Sequence, residues 1–140
     1  MEKIQLQSVY RYQRASNILY ELLSERDSKT SISHRRMPTW MEHKRFIASK
    51  PYRSWSLIVR NGEVVGSVYL SKQNEIGLFI FKKHCGEGYG RRALHILFKK
   101  YSKETHFLAN VNPANGRSIR FFKKLGFGHI QNTYELRKRG

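Results

Sequence analysis

The sequence predicts an α/β (α+β) fold with elements in the order β-α-α-β-β-β-α-β-α-β and room for one further strand. Three observations carry that prediction. Short segments alternate apolar and polar residues, longer ones repeat apolar residues at helical spacing, and a glycine-rich corner, HCGEGYGRRAL at His84 to Leu94, joins the two kinds.

Lys3 to Tyr10 alternates around Ile4, Leu6 and Val9 and reads as the first strand. Ala15 to Leu23 sets Ile18, Leu19, Leu22 and Leu23 at helical spacing, so a first helix follows; Ser28 to Arg36 is polar and reads as a loop. Pro38-Thr39 offers a helix start, and the stripe Trp40, His43, Phe46 and Ile47 runs until near Pro51. Tyr52 to Arg60 and Glu63 to Leu70 flank Asn61-Gly62, a pair suited to a type I′ turn, and form the strongest hairpin signal in the chain.

After Lys72 to Asn74 comes a strand over Glu75 to Phe81, then the glycine corner, then a helix over Arg91 to Tyr101 with Ala93, Leu94, Leu97, Phe98 and Tyr101 on one face. Thr105 to Val111 reads as another strand. Asn112 to Asn115 caps a last helix that carries Ile119, Phe122 and Leu125 and stops at Gly126. Phe127 to Leu136 reads as one or two closing strands.

The 140 residues suit one domain over 1–140, and 39% hydrophobic with 13% aromatic residues is enough apolar surface to offset chain entropy. No apolar run spans a bilayer and the N-terminus lacks a signal peptide's apolar centre, so a soluble, cytoplasmic protein is expected. Cys85 is the only cysteine, and the six histidines have no metal-ligand spacing, so no metal is expected. The net charge of +17 invites a nucleic-acid partner, yet the basic residues are dispersed in pairs such as Arg35-Arg36, Arg91-Arg92 and Lys123-Lys124. A solvated basic surface or attraction to an anionic small molecule explains them equally well, and nucleic acid is the less favoured partner.

Gly86, Gly88 and Gly90 remove three Cβ atoms between a strand and a helix N-terminus, where backbone N–H groups and the helix dipole converge on an anion. A tight turn without a ligand would use the same residues. A P-loop is excluded because Arg91-Arg92 stands where Lys and Ser or Thr would be required. A dinucleotide fold wants an acid at the end of the next strand, whereas Glu104 precedes that strand.

Leu78-Phe79-Ile80 with CGEGYGRRAL, followed by ANVNPANGRSIRFFKKLGF at Ala109 to Phe127, resembles the GNAT superfamily of acyl-CoA-dependent N-acyltransferases. The resemblance covers Gly62 to Phe127. It implies a mixed, mostly antiparallel central sheet flanked by helices, with acetyl-CoA as co-substrate and a small amine as acceptor. The backbone of Leu78, Phe79 and Ile80 would then bind the pantetheine arm, and the N–H groups of Cys85, Gly86, Glu87, Gly88, Tyr89, Gly90 and Arg91 the pyrophosphate. Cys85 fills a position where the family usually has Gln or Arg, and no His and acid are placed to make it a nucleophile. Asn115 matches the family's asparagine near the pantetheine. Phe122 stands where the family commonly has a tyrosine that protonates the departing thiolate. Water replaces that tyrosine, a hydroxyl such as Tyr134 or Ser118 does, or the transferase activity is weak.

For the reaction itself, Glu75 at the start of its strand is the best-placed base, acting through water, although an acid there also serves simply to cap or solvate a strand end. His34 and His43 are rival bases, and the N–H of Ile80 or a neighbour is the oxyanion donor. Arg120, Lys123 and Lys124 are available to CoA phosphates or form a solvated helix face. MPTWMEHKRFIASKPYRSWSLIV with EVVGSVYL resembles members that acetylate nucleotide-linked amino sugars. Two other functions compete: a protein or peptide N-acetyltransferase, where the +17 charge counts against a basic acceptor, and a weakly active nucleic-acid-binding module. Short C-terminal elements pair between subunits in such folds, so a homodimer is one expectation.

Overall fold

The computed structural model describes residues 3–26 and 36–138. The predicted Ser28 to Arg36 loop and His34 fall outside the described residues, except Arg36.

Five strands, β1 (Ile4–Ser8), β2 (Ser54–Arg60), β3 (Glu63–Leu70), β4 (Glu75–Ile80) and β5 (Leu108–Ala109), form one sheet in sequence order. The first four are antiparallel, and β5 joins β4 in parallel. Asn61 and Gly62 both have positive φ, 46° and 83°, as the hairpin turn between β2 and β3 requires.

Helices α1 (Ala15–Ser24) and α2 (Trp40–Ala48) cover one face of the sheet, while α3 (Tyr89–Lys100) and α4 (Gly116–Lys124) cover the other. Strand alternation explains the division. Leu57 and Val59 pack toward Leu19, Leu22 and Ile47, whereas Ile58, Val68, Leu70 and Ile76 pack toward Ala93, Leu94 and Leu97. A capping box starts α2: the Thr39 hydroxyl accepts from the Glu42 N–H, and the Glu42 carboxylate accepts from the Thr39 N–H. No helix among the described residues is long and apolar enough to cross a membrane.

The structure corrects three boundaries. The strand expected over Thr105 to Val111 is reduced to Leu108–Ala109, because the Asn112 side chain accepts from the Ala114 N–H and turns the chain away. Helix α3 begins at Tyr89 rather than Arg91, since Gly88 in left-handed conformation already serves as its N-cap. The strands expected over Phe127 to Leu136 do not form among the described residues. Their alternation finds no neighbouring strand, and Ile130 and Leu136 stay 74% and 86% exposed.

Candidate active site

The site begins with a parting of strands. β4 pairs with β5 only at Glu75↔Leu108 and Ile76↔Ala109, then runs on to Ile80 while the other chain turns off at Asn110. A V opens between them. Antiparallel pairing decides which backbone groups face it: Ser71 N–H donates to the Glu75 carbonyl and Phe81 N–H to the Val65 carbonyl, so the odd residues of β4 bond to β3. Leu108 N–H donates to the Asn74 carbonyl on the opposite edge, so even residues face β5. Leu78 and Ile80 therefore turn their N–H and carbonyl groups into the V, whereas those of Phe79 are directed at β3. Of the three residues expected to bind a pantetheine arm through their backbone, Phe79 is not so placed.

At the mouth of the V lies the glycine corner. A 3-10 turn, Lys82–His84, leads into it, and Gly86 and Gly88 have φ of 84° and 82°, which L side chains rarely adopt. Gly90 is buried at the start of α3, where a Cβ would come within 2.9 Å of the Leu78 side chain and 3.5 Å of Phe121. That contact draws the helix N-terminus against β4. The first intrahelical bond runs from Arg92 N–H to the Gly88 carbonyl, which leaves the N–H groups of Tyr89, Gly90 and Arg91 at the helix end without an intrahelical acceptor.

Two residues of the expected cradle are committed elsewhere. Cys85 N–H donates to the Lys82 carbonyl at 3.2 Å, and its thiol contacts the Ile80 carbonyl at 3.8 Å. The Tyr89 ring is buried in the core and accepts a hydrogen bond from Arg60, so this residue offers the loop its backbone alone. Gly86, Glu87, Gly88 and Arg91 are exposed.

The apex of the V holds Glu75. Asn110 Nδ2 donates to its Oε2 at 2.7 Å and Ser71 Oγ to its Oε1 at 3.3 Å, so the half-buried carboxylate ties the two strands where they part. Asn115 caps α4 by accepting from Ser118 N–H, leaving its amide N–H2 for other partners. Phe122 packs its ring against Phe121 and Phe127, each 5.1 Å away, in the α3–α4 layer. The structure does not bring Tyr134 to these residues: it is 89% exposed in the segment that forms no strand.

On the other face of the sheet, a cavity of about 520 Å³ opens between α1, α2 and the strands. Phe46, Trp55, Tyr52, Tyr69 and Phe79 give it aromatic walls, and Leu19, Leu22 and Leu23 an aliphatic one. Tyr69 lies flat on Gly77 of β4, its register partner, and Tyr52 stacks on Tyr69 at 3.8 Å with an interplanar angle of 1°. Burial raises both phenol pKa values. The Arg26 guanidinium sits 4.3 Å over the Phe79 ring, and desolvation lowers its pKa.

His43 also lines this cavity, 3% exposed, with Nε2 2.9 Å from the Ser16 carbonyl. A carbonyl only accepts, so Nε2 carries the proton and His43 joins α1 to α2. That bond uses Nε2 alone and does not decide between His43 and Glu75 as base. Arg26, Tyr69 and Asn110 were not among the expected site residues. For Tyr69 a signal existed, since a hairpin centred on Gln73 sets it opposite Gly77; nothing in the sequence marks the other two.

A glycine cradle and helix N-terminus at the mouth of a strand fork, with the backbone of Leu78 and Ile80 turned into it and a carboxylate at the apex, suit an extended ligand that carries an anionic group. The sequence matches the acetyltransferase (GNAT) family over residues 16–127, and the chain belongs to that family. It is an acyl-CoA-dependent N-acetyltransferase with acetyl-CoA as co-substrate. The fold is similar to that of a domain from Methanocaldococcus jannaschii, at 24% identity and TM-score 0.83 over 96% of this chain and 94% of that one. It is also similar to an acetyltransferase from Thermus thermophilus, at 20% identity and TM-score 0.68 over 93% and 90% of the two chains. A putative acetyltransferase from Salmonella typhimurium, solved with its cofactor acetyl-CoA, aligns at 17% identity and TM-score 0.65 over 91% of this chain and 79% of that one. Comparison with curated proteins gives no match.

Proposed function

We propose that the chain transfers the acetyl group to a primary amine of a small molecule, a nucleotide-linked amino sugar among the candidates, by direct attack in a ternary complex. The observation that carries this reading is the fork between β4 and β5, with the glycine cradle at its mouth and Glu75 at its apex. In this reading bound acetyl-CoA supplies the thioester. The N–H groups of Tyr89, Gly90 and Arg91, with those of Gly86 to Gly88, hold its pyrophosphate, and the backbone of Leu78 and Ile80 holds its arm. Asn115 and Phe122 line the arm from α4.

Glu75 takes the amine proton through a water, so that the neutral amine forms the new C–N bond. One of the N–H groups of Leu78 and Ile80 stabilises the charge that develops on the carbonyl oxygen. The C–S bond breaks and the thiolate takes a proton from solvent, because Phe122 has none to give and Tyr134 lies in the exposed segment.

A free-thiol assay with acetyl-CoA against amino-sugar nucleotides, amino acids, polyamines and peptides tests the reading. Thiol release with a small amine is expected, and Glu75→Gln should lower kcat by about 10²-fold. Tyr134→Phe should retain the wild-type rate. Peptide turnover alone would favour a protein acceptor, and salt-sensitive nucleic-acid binding without thiol release would favour the binding module. Full rate in Glu75→Gln would remove Glu75 as the base.

A further inference from the structure

We infer that the cavity between α1, α2 and the sheet takes an acceptor whose primary amine sits on a short arm of a flat, uncharged, apolar ring, with that ring held among the aromatic walls. This inference rests on the transferase reading and names the substrate class for the same site.

Position gives the first argument. Side chains alternate along β4: Ile76, Leu78 and Ile80 pack toward α3, whereas Phe79 packs toward α1. Glu75 and Gly77 share the parity of Phe79, so the carboxylate at the apex of the fork and the floor of the cavity lie on one face of the sheet. The Tyr69 ring connects them. It lies on Gly77, and its phenol pKa, raised mainly by burial, is raised in smaller measure by the Glu75 carboxylate. Phe79 lines the cavity one residue, about 3.3 Å of strand, from the backbone of Leu78 and Ile80 that faces the fork. A body held among these rings needs only a short arm to bring its amine to the thioester.

Charge gives the second. Each ionisable side chain that lines the cavity, apart from the two phenols, already has a partner among the described residues. Glu42 accepts from the Thr39 N–H and pairs with Arg36 at 3.5 Å, His43 Nε2 is bonded to the Ser16 carbonyl, and the Arg26 guanidinium lies 4.3 Å from the Phe79 ring centre. A charge carried on the body of the acceptor would leave water without gaining a free counter-charge from this wall, which disfavours it. A second ammonium group would also meet the like charge of Arg26 and Arg36. An uncharged apolar body loses nothing of this kind and gains by leaving water.

Shape supplies the rest. Phe46, Tyr52 and Trp55 meet pairwise at 4.8–5.9 Å and at interplanar angles of 73–81°, while Tyr52 stacks on Tyr69 at 3.8 Å. Each ring fixes its neighbours, so the wall is ordered before anything binds. One further ring extends the same edge-to-face pattern at little ordering cost. The cavity, about 520 Å³, has the size of a small-molecule site.

The test is calorimetric titration of the full chain with phenethylamine, hexylamine, L-phenylalanine, glucosamine, a uridine-diphosphate amino sugar and spermidine, followed by thiol release from acetyl-CoA with each. Phenethylamine should bind at least about tenfold more tightly than either sugar or spermidine, the low end of what burial of one aromatic side chain supplies. It should bind at least about twofold more tightly than the flexible hexylamine, the low end of a ring–ring contact. The carboxylate of L-phenylalanine should add no affinity, and phenethylamine should release thiol with the lowest KM of the set. Phe46→Ala, at a ring that is 39% exposed, and Trp55→Ala should each remove most of the preference and leave acetyl-CoA affinity unchanged, whereas Trp55→Phe should keep it. Equal or tighter binding by any of the other five compounds, an unchanged preference in both alanine variants, or bound phenethylamine that releases no thiol while another amine does would overturn the inference. Acetyl-CoA is titrated separately; its failure to bind defeats the transferase reading, while the ranking of the amines still reports on the cavity.

Discussion

Gly77→Ala probes the wall of the cavity directly. In the β3–β4 register Tyr69 faces Gly77, and a Cβ there would lie 1.9, 2.1 and 2.6 Å from Cε2, Cζ and Cδ2 of the ring. Ordinary carbon contacts start near 3.5 Å, so the ring must retreat by roughly 1.5 Å. It has nowhere to go without displacing Tyr52, stacked behind it at 3.8 Å, which itself abuts Trp55 and Phe46. Overpacking of this kind costs about 1–3 kcal/mol. Losing the stack adds about 0.5–1.5 kcal/mol, and the lower entropy of an unfolded alanine offsets about 0.4–1 kcal/mol. The net expectation is a destabilisation of about 0.5–4 kcal/mol, read by urea unfolding, with a raised acceptor KM and unchanged acetyl-CoA binding. Tyr69→Val in the same background should recover at least about 1 kcal/mol, measured as a double-mutant cycle. Unfolding within about 0.5 kcal/mol of wild type, with an unchanged KM, would refute the packing argument.

Gly88→Ala places a Cβ at φ 82° and should cost about 1–2 kcal/mol. It should also shrink the rise in melting temperature that acetyl-CoA produces, because the cradle must distort. Thr39→Ala removes one half of the α2 capping box and should lower unfolding stability by about 0.5–2 kcal/mol in urea. Burial lowers the His43 pKa, while its bond to the Ser16 carbonyl acts in the opposite sense and is the smaller effect. The folded chain thus holds that proton less tightly than the unfolded chain. The stability tied to neutral His43 is complete above about pH 6.5 and falls as pH drops through that value toward the lowered folded one. Equilibrium unfolding between about pH 5 and 8 should show this slope, and His43→Gln should flatten it; the Glu42, Glu63 and Glu104 carboxyls, all lowered, act only in a more acidic window.

Local chemistry alone made much of the molecule legible. Asn61-Gly62 announces its turn because those residue types tolerate positive φ, and the α2 stripe with Thr39 announces a capped helix. The glycine cradle is equally local, since three absent Cβ atoms can be seen in one dimension. The tail from Phe127 to Leu136 shows the reverse, as Ile130, Tyr134 and Leu136 alternate like a strand but stay exposed. Alternation states a preference for a pleated surface, and only a neighbouring strand converts it into structure.

The sequence by itself determined the element order as far as α4, the anion cradle and the resemblance to acyl-CoA-dependent transferases, all of which rest on residues close in the chain. Tertiary structure alone decided that Leu78 and Ile80, not Phe79, turn their backbone into the fork, because that parity is set by pairing with β3. It also brought Asn110 to Glu75 and Arg26 to Phe79, 35 and 53 positions apart in sequence. Such meetings depend on which strands part and which helix crosses which face, and that is settled by packing the whole chain at once.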